Sequence, residues 1–421
     1  MNAHLASVGR KPVAAQSARS LNVSLETLGR IGVLIAMAFS GLVFTEPAPV
    51  DALFIGLAIV LPFMGVTRLS PVILGVFSLW LLCGIGALIA SSDSMDVSLS
   101  MRHTGVSIDL SILVLLLASF IAADPERHAR LIFKGWVLAA IVAALAALAG
   151  YFTFPSGAFD VFTKYGRATG TFKDPNVLGP FLIPAIAYLI GAFLDRQDVR
   201  GKLLLIPIAL MIFAVLLSFS RGAWFQLILT LGKFGLLRLV SERSRQKRIR
   251  MVLIGTLAIM IAAGGLITLI ASSDKIGSFI EERSSLTQEY DVGPQGRFGG
   301  QAKALDLAIQ TPLGIGAGVF SEHYHPEDVH NVYLSMFLNA GWLGGLAYLA
   351  ATAATVVVGF LYCFSNLPGS NYLFIGVASF TANVAEGAII DTDHWRNFYI
   401  LMALVWGLIG ASLLQKKRVS L

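Results

Sequence analysis

The feature that most constrains this chain is a series of long apolar runs that recur from residue 28 towards the C-terminus. Each run has roughly 18 to 22 mainly apolar residues, which is the length of α-helix that crosses about 30 Å of hydrocarbon. Hydrophobic residues make up 56% of the chain and charged residues only 13%, a composition that excludes a soluble protein. Because backbone polar groups must be paired inside a bilayer, the sequence predicts an all-α integral membrane protein.

About twelve membrane-spanning helices are predicted from these runs. They lie at residues 28–45, 50–67, 71–90, 105–123, 132–152, 175–194, 202–219, 221–239, 251–271, 334–362, 371–390 and 397–414. The run at 334–362 is long for a single span, so we expect its NAGWLGG motif to break it.

The basic residues predict the orientation of these helices. With a cytoplasmic N-terminus, most of the 31 Lys and Arg residues fall on the cytoplasmic side, including the basic run 233–250. Orientation therefore accounts for the net charge of +6, and since no nucleic-acid motif is present we expect no nucleic-acid partner. The predicted organisation is a cytoplasmic tail at 1–25, transmembrane helices 1–9 at 26–271, a large periplasmic loop at 272–333, helices 10–12 at 334–414 and a cytoplasmic tail at 415–421.

Two arginines on the outward side are candidates for anion binding. Arg221, in SFSRGAWF, lies at the mouth of two apolar spans, where a guanidinium is costly unless it snorkels, pairs or meets a ligand. Ser220 and Gly222 would let backbone donors approach the same anion at a helix start. Arg297 precedes the pattern GGQAKALDLAIQ, which predicts a short cap helix over the membrane face. The residues alone leave a snorkelling Arg221 and a solvated Arg297 as alternatives.

A third motif, YGRATGTFKDPNVLG, precedes the sixth predicted span. Asp174 followed by Pro175 predicts a helix start, because the carboxylate can cap backbone donors and Pro fits the first turn. Capping does not explain Arg167 and Lys173. We treat both as candidate substrate contacts that add positive charge to the outward side.

Three of the seven histidines lie in one short stretch, FSEHYHPEDVHN. The spacing of His323, His325 and His330 on a Pro-containing loop matches no zinc signature, so we predict neither a metal nor a cofactor there. His330 differs because it starts the next apolar run, where an imidazole could accept a proton from a hydroxyl nucleophile. His323, His325 and the following Asn331 are further candidate substrate contacts.

A polar group also precedes the last predicted span. For these side chains we expect structural pairing rather than chemistry, and they are Glu386, Asp391, Asp393, His394 and Arg396.

The segments SRGAW, GRFGGQAKALDLAIQTPLGIGAGVF and HNVYLSMFLNAGWLGGLAYL, in this order around one outward loop, resemble the O-antigen ligase and polysaccharide polymerase superfamily of bacterial inner membranes. GRATGTFKDPNVLGPF is similar to that family as well. The resemblance implies a fold similar to C-type glycosyltransferases, with a periplasmic active site that moves glycan from undecaprenyl diphosphate to an acceptor hydroxyl. It also implies that Arg221 and Arg297 grip the diphosphate and that His330 acts at the acceptor, in an inverting reaction without a metal.

The implied partners are an undecaprenyl-diphosphate-linked glycan donor, a lipid A core or growing polysaccharide as acceptor, the lipid bilayer and other polysaccharide-assembly proteins. Ligase and polymerase both remain open, because they use the same donor headgroup. A different class also remains open, a multi-spanning polysaccharide or lipid-carrier transporter (flippase). A transporter predicts repeat symmetry and mid-membrane charges in both halves, and the sequence shows neither clearly.

Overall fold

The computed structural model describes residues 13–196, 198–272 and 293–419. Part of the predicted N-terminal tail (1–12), part of the predicted periplasmic loop (273–292) and the last two residues of the predicted C-terminal tail lie outside the described residues.

The described chain is almost entirely helical, with one short antiparallel hairpin of β1 (Thr163–Lys164) and β2 (Arg167–Ala168). A 3₁₀ turn, Leu61–Met64, extends the second helix. The helices are α1 (Val13–Phe39), α2 (Pro49–Val60), α3 (Pro71–Ser92), α4 (Val97–Ala123), α5 (Pro125–Tyr151), α6 (Ala158–Phe162), α7 (Pro175–Asp195), α8 (Val199–Leu203), α9 (Leu205–Leu217), α10 (Arg221–Ser241), α11 (Arg245–Ser272), α12 (Arg297–Gln310), α13 (Val332–Tyr362), α14 (Ser370–Glu386) and α15 (Arg396–Val419).

Each predicted span overlaps at least one of these helices, which confirms the all-α membrane fold. Eight helical segments of the described chain are long and apolar enough to cross a bilayer by length and composition: α3, α4, α5, α7, α8 with α9, α10, α13 and α15. The structure differs from the prediction at the first helix. α1 begins at Val13, inside the predicted tail 1–25, because the Ala, Gln, Arg and Leu residues there favour a helix.

The predicted break in NAGWLGG is confirmed at Gly341, which interrupts α13 with φ 63° and ψ −171°. The turn that follows α12 approaches here so closely that a Cβ on Gly341 would lie 2.7 Å from the Leu313 carbonyl oxygen. Trp342 N–H also donates to the Pro312 carbonyl oxygen at 2.8 Å. The glycine therefore lets a backbone turn pack against the helix where a side chain would block it.

The bundle brings several helix ends together. α13 packs along α3, α15 along α4, and α10 packs against both α7 and α14. The predicted cap helix is confirmed as α12, whose Ala304 and Ala308 pack with Val319 and Phe320 beside α13. The starts of α4, α7, α10 and α13 consequently lie near the loop that joins α14 to α15, as the contacts below show.

Candidate functional site

His330 is held in an unusual backbone conformation just before α13. Its φ of 52° lies in the left-handed region, which costs a non-glycine residue about 1–3 kcal/mol. Two contacts oppose that cost: His330 N–H donates to Asp391 Oδ2 at 2.9 Å, and Gln301 Nε2 donates to the His330 carbonyl oxygen at 3.0 Å. The Ser335 hydroxyl donates to the other oxygen of Asp391. Burial and the nearby Asp393 carboxylate raise the pKa of Asp391 to about 7.

The imidazole of His330 lies among charged groups from two other elements. Burial, and then the positive charge of Arg297 at the start of α12, lower the pKa of His330 below its ordinary value. The carboxylates of Asp328, Glu327 and Asp174 act in the opposite direction without reversing the shift. A lowered pKa keeps the imidazole neutral at pH 7, which is the form that can accept a proton.

Arg221 is the first residue of α10. The Ser220 hydroxyl caps this helix by accepting from Ala223 N–H at 3.3 Å. Gly222 lies against the carboxyl group of Glu386, since a Cβ there would be 1.9 Å from Glu386 Oε1. Glu386 is 1% exposed at the end of α14. The Ser220 hydroxyl is therefore used for capping and the Cβ side of Gly222 faces a buried carboxyl group, while anion binding by backbone donors at this helix start stays a prediction.

Arg167 reaches the same helix start from the hairpin. Its Nε donates to the carbonyl oxygen of Ser218, in the turn before α10, at 2.8 Å, and another guanidinium nitrogen donates to Asn176 Oδ1 at 2.8 Å. Asn176 N–H in turn donates to Asp174 Oδ1 at 2.7 Å, which confirms the predicted capping of α7. Arg167 thus ties the starts of α7 and α10 together.

The end of α14 contacts both the start of α10, which carries Arg221, and the start of α13, which follows His330. Glu386, which touches Gly222, precedes Gly387, and Val332 N–H donates to the Gly387 carbonyl oxygen at 2.9 Å. The structure therefore gathers four predicted residues at one end of the bundle: Arg167, Arg221, Arg297 and His330.

The other candidate substrate contacts lie in different surroundings. Lys173 pairs with Glu46 at 2.6 Å. The His323 side chain is 44% exposed. His325 is buried, its ring stacks on Phe320 at 5.8 Å and it lies against α12.

Asn331 caps α13, because its Oδ1 accepts from Tyr333 N–H at 3.1 Å and Leu334 N–H at 3.3 Å. The side chain can satisfy these two donors and still leave its amide nitrogen directed elsewhere. Capping is a sufficient reason for an asparagine at this position.

The polar group before α15 pairs as expected, but with partners far away in the chain. Arg396 Nε donates to Asp51 Oδ1 at 3.1 Å, and both side chains are buried. His394 Nδ1 lies 3.4 Å from Glu46 Oε2. Asp393 Oδ2 lies 3.5 Å from His103 Nε2.

Sequence reasoning missed the contacts that Gln301 and Asp391 make with the His330 backbone. A glutamine one turn into a predicted cap helix carries no distinguishing signal, and Asp391 was expected only to form structural pairs. The sequence also gave no indication that His103 meets Asp393 and His394, because no local spacing joins them.

A scan against protein-family models matches residues 206–349 to the family described as O-Antigen ligase. A search of curated proteins finds no match. The matched range includes α9, α10, α12 and the first part of α13, and with them Arg221, Arg297 and His330. Residues 206–349 are therefore similar to the O-antigen ligase family, which confirms the resemblance to the ligase and polymerase superfamily for this part of the chain.

Proposed function

We propose that this protein transfers glycan from undecaprenyl diphosphate to an acceptor hydroxyl at the end of the bundle that holds His330. The observation that carries the proposal is the hydrogen bond from Gln301, in the first turns of α12, to the His330 carbonyl oxygen, which brings His330 beside the helix that Arg297 starts, within the matched domain. An anion-binding group beside a neutral imidazole is what a transfer from a diphosphate leaving group requires.

Arg221 and Arg297 bind the diphosphate in this proposal. Negative charge grows on the leaving phosphate as the glycosidic bond breaks, and guanidinium groups stabilise it through charge-assisted hydrogen bonds that can be bidentate. The same positive charge replaces the divalent cation that a leaving diphosphate would otherwise need. Arg167 adds a third guanidinium close to the start of α10.

His330 acts on the acceptor. Its neutral imidazole accepts the proton of the acceptor hydroxyl, and the hydroxyl oxygen forms a bond to the anomeric carbon as the bond from that carbon to the phosphate oxygen breaks. Undecaprenyl diphosphate leaves with the bonding electrons, and the imidazolium later releases its proton. Attack from the face opposite the leaving group inverts the anomeric configuration.

The proposed setting is the bacterial inner membrane, with both termini in the cytoplasm and the site in the periplasm. The positive-inside bias of the sequence supports this orientation. The acceptor is a sugar hydroxyl, either on lipid A core or on a growing polysaccharide.

The proposal is tested in a null strain complemented at matched membrane levels by wild type, Arg221→Ala, Arg297→Ala or His330→Ala. Each variant should fail to restore surface polysaccharide and should accumulate lipid-linked glycan. Single repeats on the carrier would indicate a polymerase, and long chains a ligase.

Two exposed residues provide matched controls, Lys164→Ala for the arginines and His323→Ala for the histidine. Both controls should restore polymer. Normal polymer with all three site variants would refute the proposed site.

A further inference from the structure

A second polar site lies at the same end of the bundle as His330. Among the described residues, His103, Asp393 and His394 place one ligand atom each within 4.8 Å of one another. His103 lies in the first turns of α4, whereas Asp393 and His394 lie in the loop between α14 and α15. We propose that these three side chains, here named the His103 cluster, bind a zinc ion.

The distances suit such an ion. His103 Nε2 and Asp393 Oδ2 are 3.5 Å apart. Two ligands on a tetrahedral zinc with bonds of about 2.1 Å are separated by roughly 3.4 Å. A direct charge-assisted hydrogen bond would instead bring nitrogen and oxygen to about 2.7–2.9 Å. Asp393 is buried, so its carboxylate benefits from a positive charge closer than this long contact supplies.

Glu46 gives the cluster a second feature of metal sites. Its Oε2 lies 3.4 Å from His394 Nδ1, which leaves Nε2 of that ring to face Ser107 and the cluster. A carboxylate on the far nitrogen of a histidine fixes the ring and makes the other nitrogen a better ligand. Lys173 in turn holds Glu46 at 2.6 Å.

A cavity beside the cluster provides room for one water-sized occupant. Its water-accessible volume is about 20 Å³, and its lining includes His103, Ser107, Asp393 and Tyr399. About 10–15 Å³ is enough for one water-sized occupant. Two of the three ligands, His103 and Asp393, line this cavity.

The donor set selects the class of metal. Two imidazoles and one carboxylate favour zinc and other borderline transition ions, whereas magnesium and calcium prefer oxygen ligands alone. In the structure the rings of His103 and His394 are stacked with their centroids 3.8 Å apart, and the ligand atoms of both rings lie within 4.8 Å of one another.

A bound ion would act on the segment that supports His330. Asp393 is close in sequence to Asp391, whose carboxylate accepts from His330 N–H. Zinc at the His103 cluster would tie this loop to α4 and hold Asp391 in place. The ion is therefore a structural support that takes no part in the transfer proposed above.

The test uses the full-length protein in nanodiscs, purified through a tag without histidine. After dialysis against micromolar zinc, elemental analysis should find one zinc per chain in wild type and in His323→Ala. His103→Ala and Asp393→Asn should lose this zinc, and Glu46→Gln should weaken it about 10–100-fold. Thermal unfolding of each variant checks that it is folded.

Cobalt gives a readout that needs no variant. Co²⁺ added to wild-type protein should produce the visible absorption of a four-coordinate ion, and zinc should displace it. The proposal is overturned if wild type binds no more zinc than His103→Ala, or if wild type with Co²⁺ stays colourless.

Discussion

Replacing Gly222 by alanine tests the contact that positions Arg221. The new Cβ would lie 1.9 Å from Glu386 Oε1, 2.7 Å from its Cδ and 3.2 Å from its Cγ. All three atoms belong to one side chain, and Glu386 is 1% exposed, so its carboxyl group cannot swing into solvent. Either Glu386 takes a new buried position or the start of α10 moves away from α14, and Arg221 moves with it.

The cost follows from this crowding. Extra atoms in a packed interior destabilise a protein by about 1–3 kcal/mol. A shift of about 1 Å at a reacting site can lower the rate about 100-fold. For Gly222→Ala we therefore expect a lower melting temperature and a 10- to 100-fold slower glycan transfer, measured with purified protein in nanodiscs and a lipid-linked donor.

Gly232→Ala is the matched control, because this glycine lies in the same helix and its Cβ would meet no atom within 4 Å. It should leave stability and transfer unchanged or slightly raise stability. Glu386→Ala in the Gly222→Ala background removes all three crowding atoms, so it should recover most of the lost stability. Equal stability of Gly222→Ala and Gly232→Ala, or simple additivity in the double variant, would show that Glu386 does not crowd the new Cβ.

Two further predictions concern His330 and the break in α13. Because the pKa of His330 is lowered, the acidic limb of kcat/KM should lie below about pH 6.5, the ordinary histidine value, and transfer should be lost only as pH falls through that limb. Glu327→Gln removes a charge that raises this pKa, so it should move the limb to lower pH, while the exposed Glu322→Gln should not; movement to higher pH would contradict the assignment. The charged groups facing the imidazole are Arg297, Asp174, Glu327 and Asp328. Gly341→Ala should lower the free energy of unfolding by about 1–3 kcal/mol, because φ at this position is 63° and backbone atoms lie 2.7 Å from the added Cβ. Gly75→Ala is the control, because no atom lies within 4 Å of its added Cβ, and it should not lower the free energy of unfolding. Thermal unfolding compares the two, and equal melting temperatures would count against the close packing.

Much of the fold could be predicted from the sequence because its signals are local. A run of apolar residues predicts a helix wherever the rest of the chain lies, and Asp174 with Pro175 marks the start of α7 by capping alone. The break at Gly341 was predictable for the same reason, since a glycine-rich motif interrupts a run that is too long for one span.

The site could be predicted only in part. Arg221 stands out because a guanidinium at a membrane boundary is costly, and His330 because it starts an apolar run. Arg297 was assigned to the diphosphate only through the family resemblance. Their supports depend on contacts between distant segments, such as Glu386 against Gly222 or Asp391 against His330. No local pattern encodes these pairs.

The His103 cluster is an extreme case of the same limit. Its ligands come from α4 and from the loop before α15, and Glu46 comes from the connection between α1 and α2. Each residue taken alone looks like an ordinary polar group near a helix end. Lys173 was a candidate substrate contact because capping did not explain it, and its pairing with Glu46 could not be read from the sequence.

Separate measurements of donor binding and of transfer distinguish the diphosphate binding proposed for the arginines from the action on the acceptor proposed for His330. With purified protein in nanodiscs, Arg221→Ala and Arg297→Ala should weaken binding of the undecaprenyl-diphosphate-linked donor. His330→Ala should bind this donor with nearly the wild-type Kd and yet fail to transfer the glycan. Wild-type transfer by His330→Ala would contradict the role of His330 at the acceptor, and unchanged donor binding by both arginine variants would contradict their role at the diphosphate.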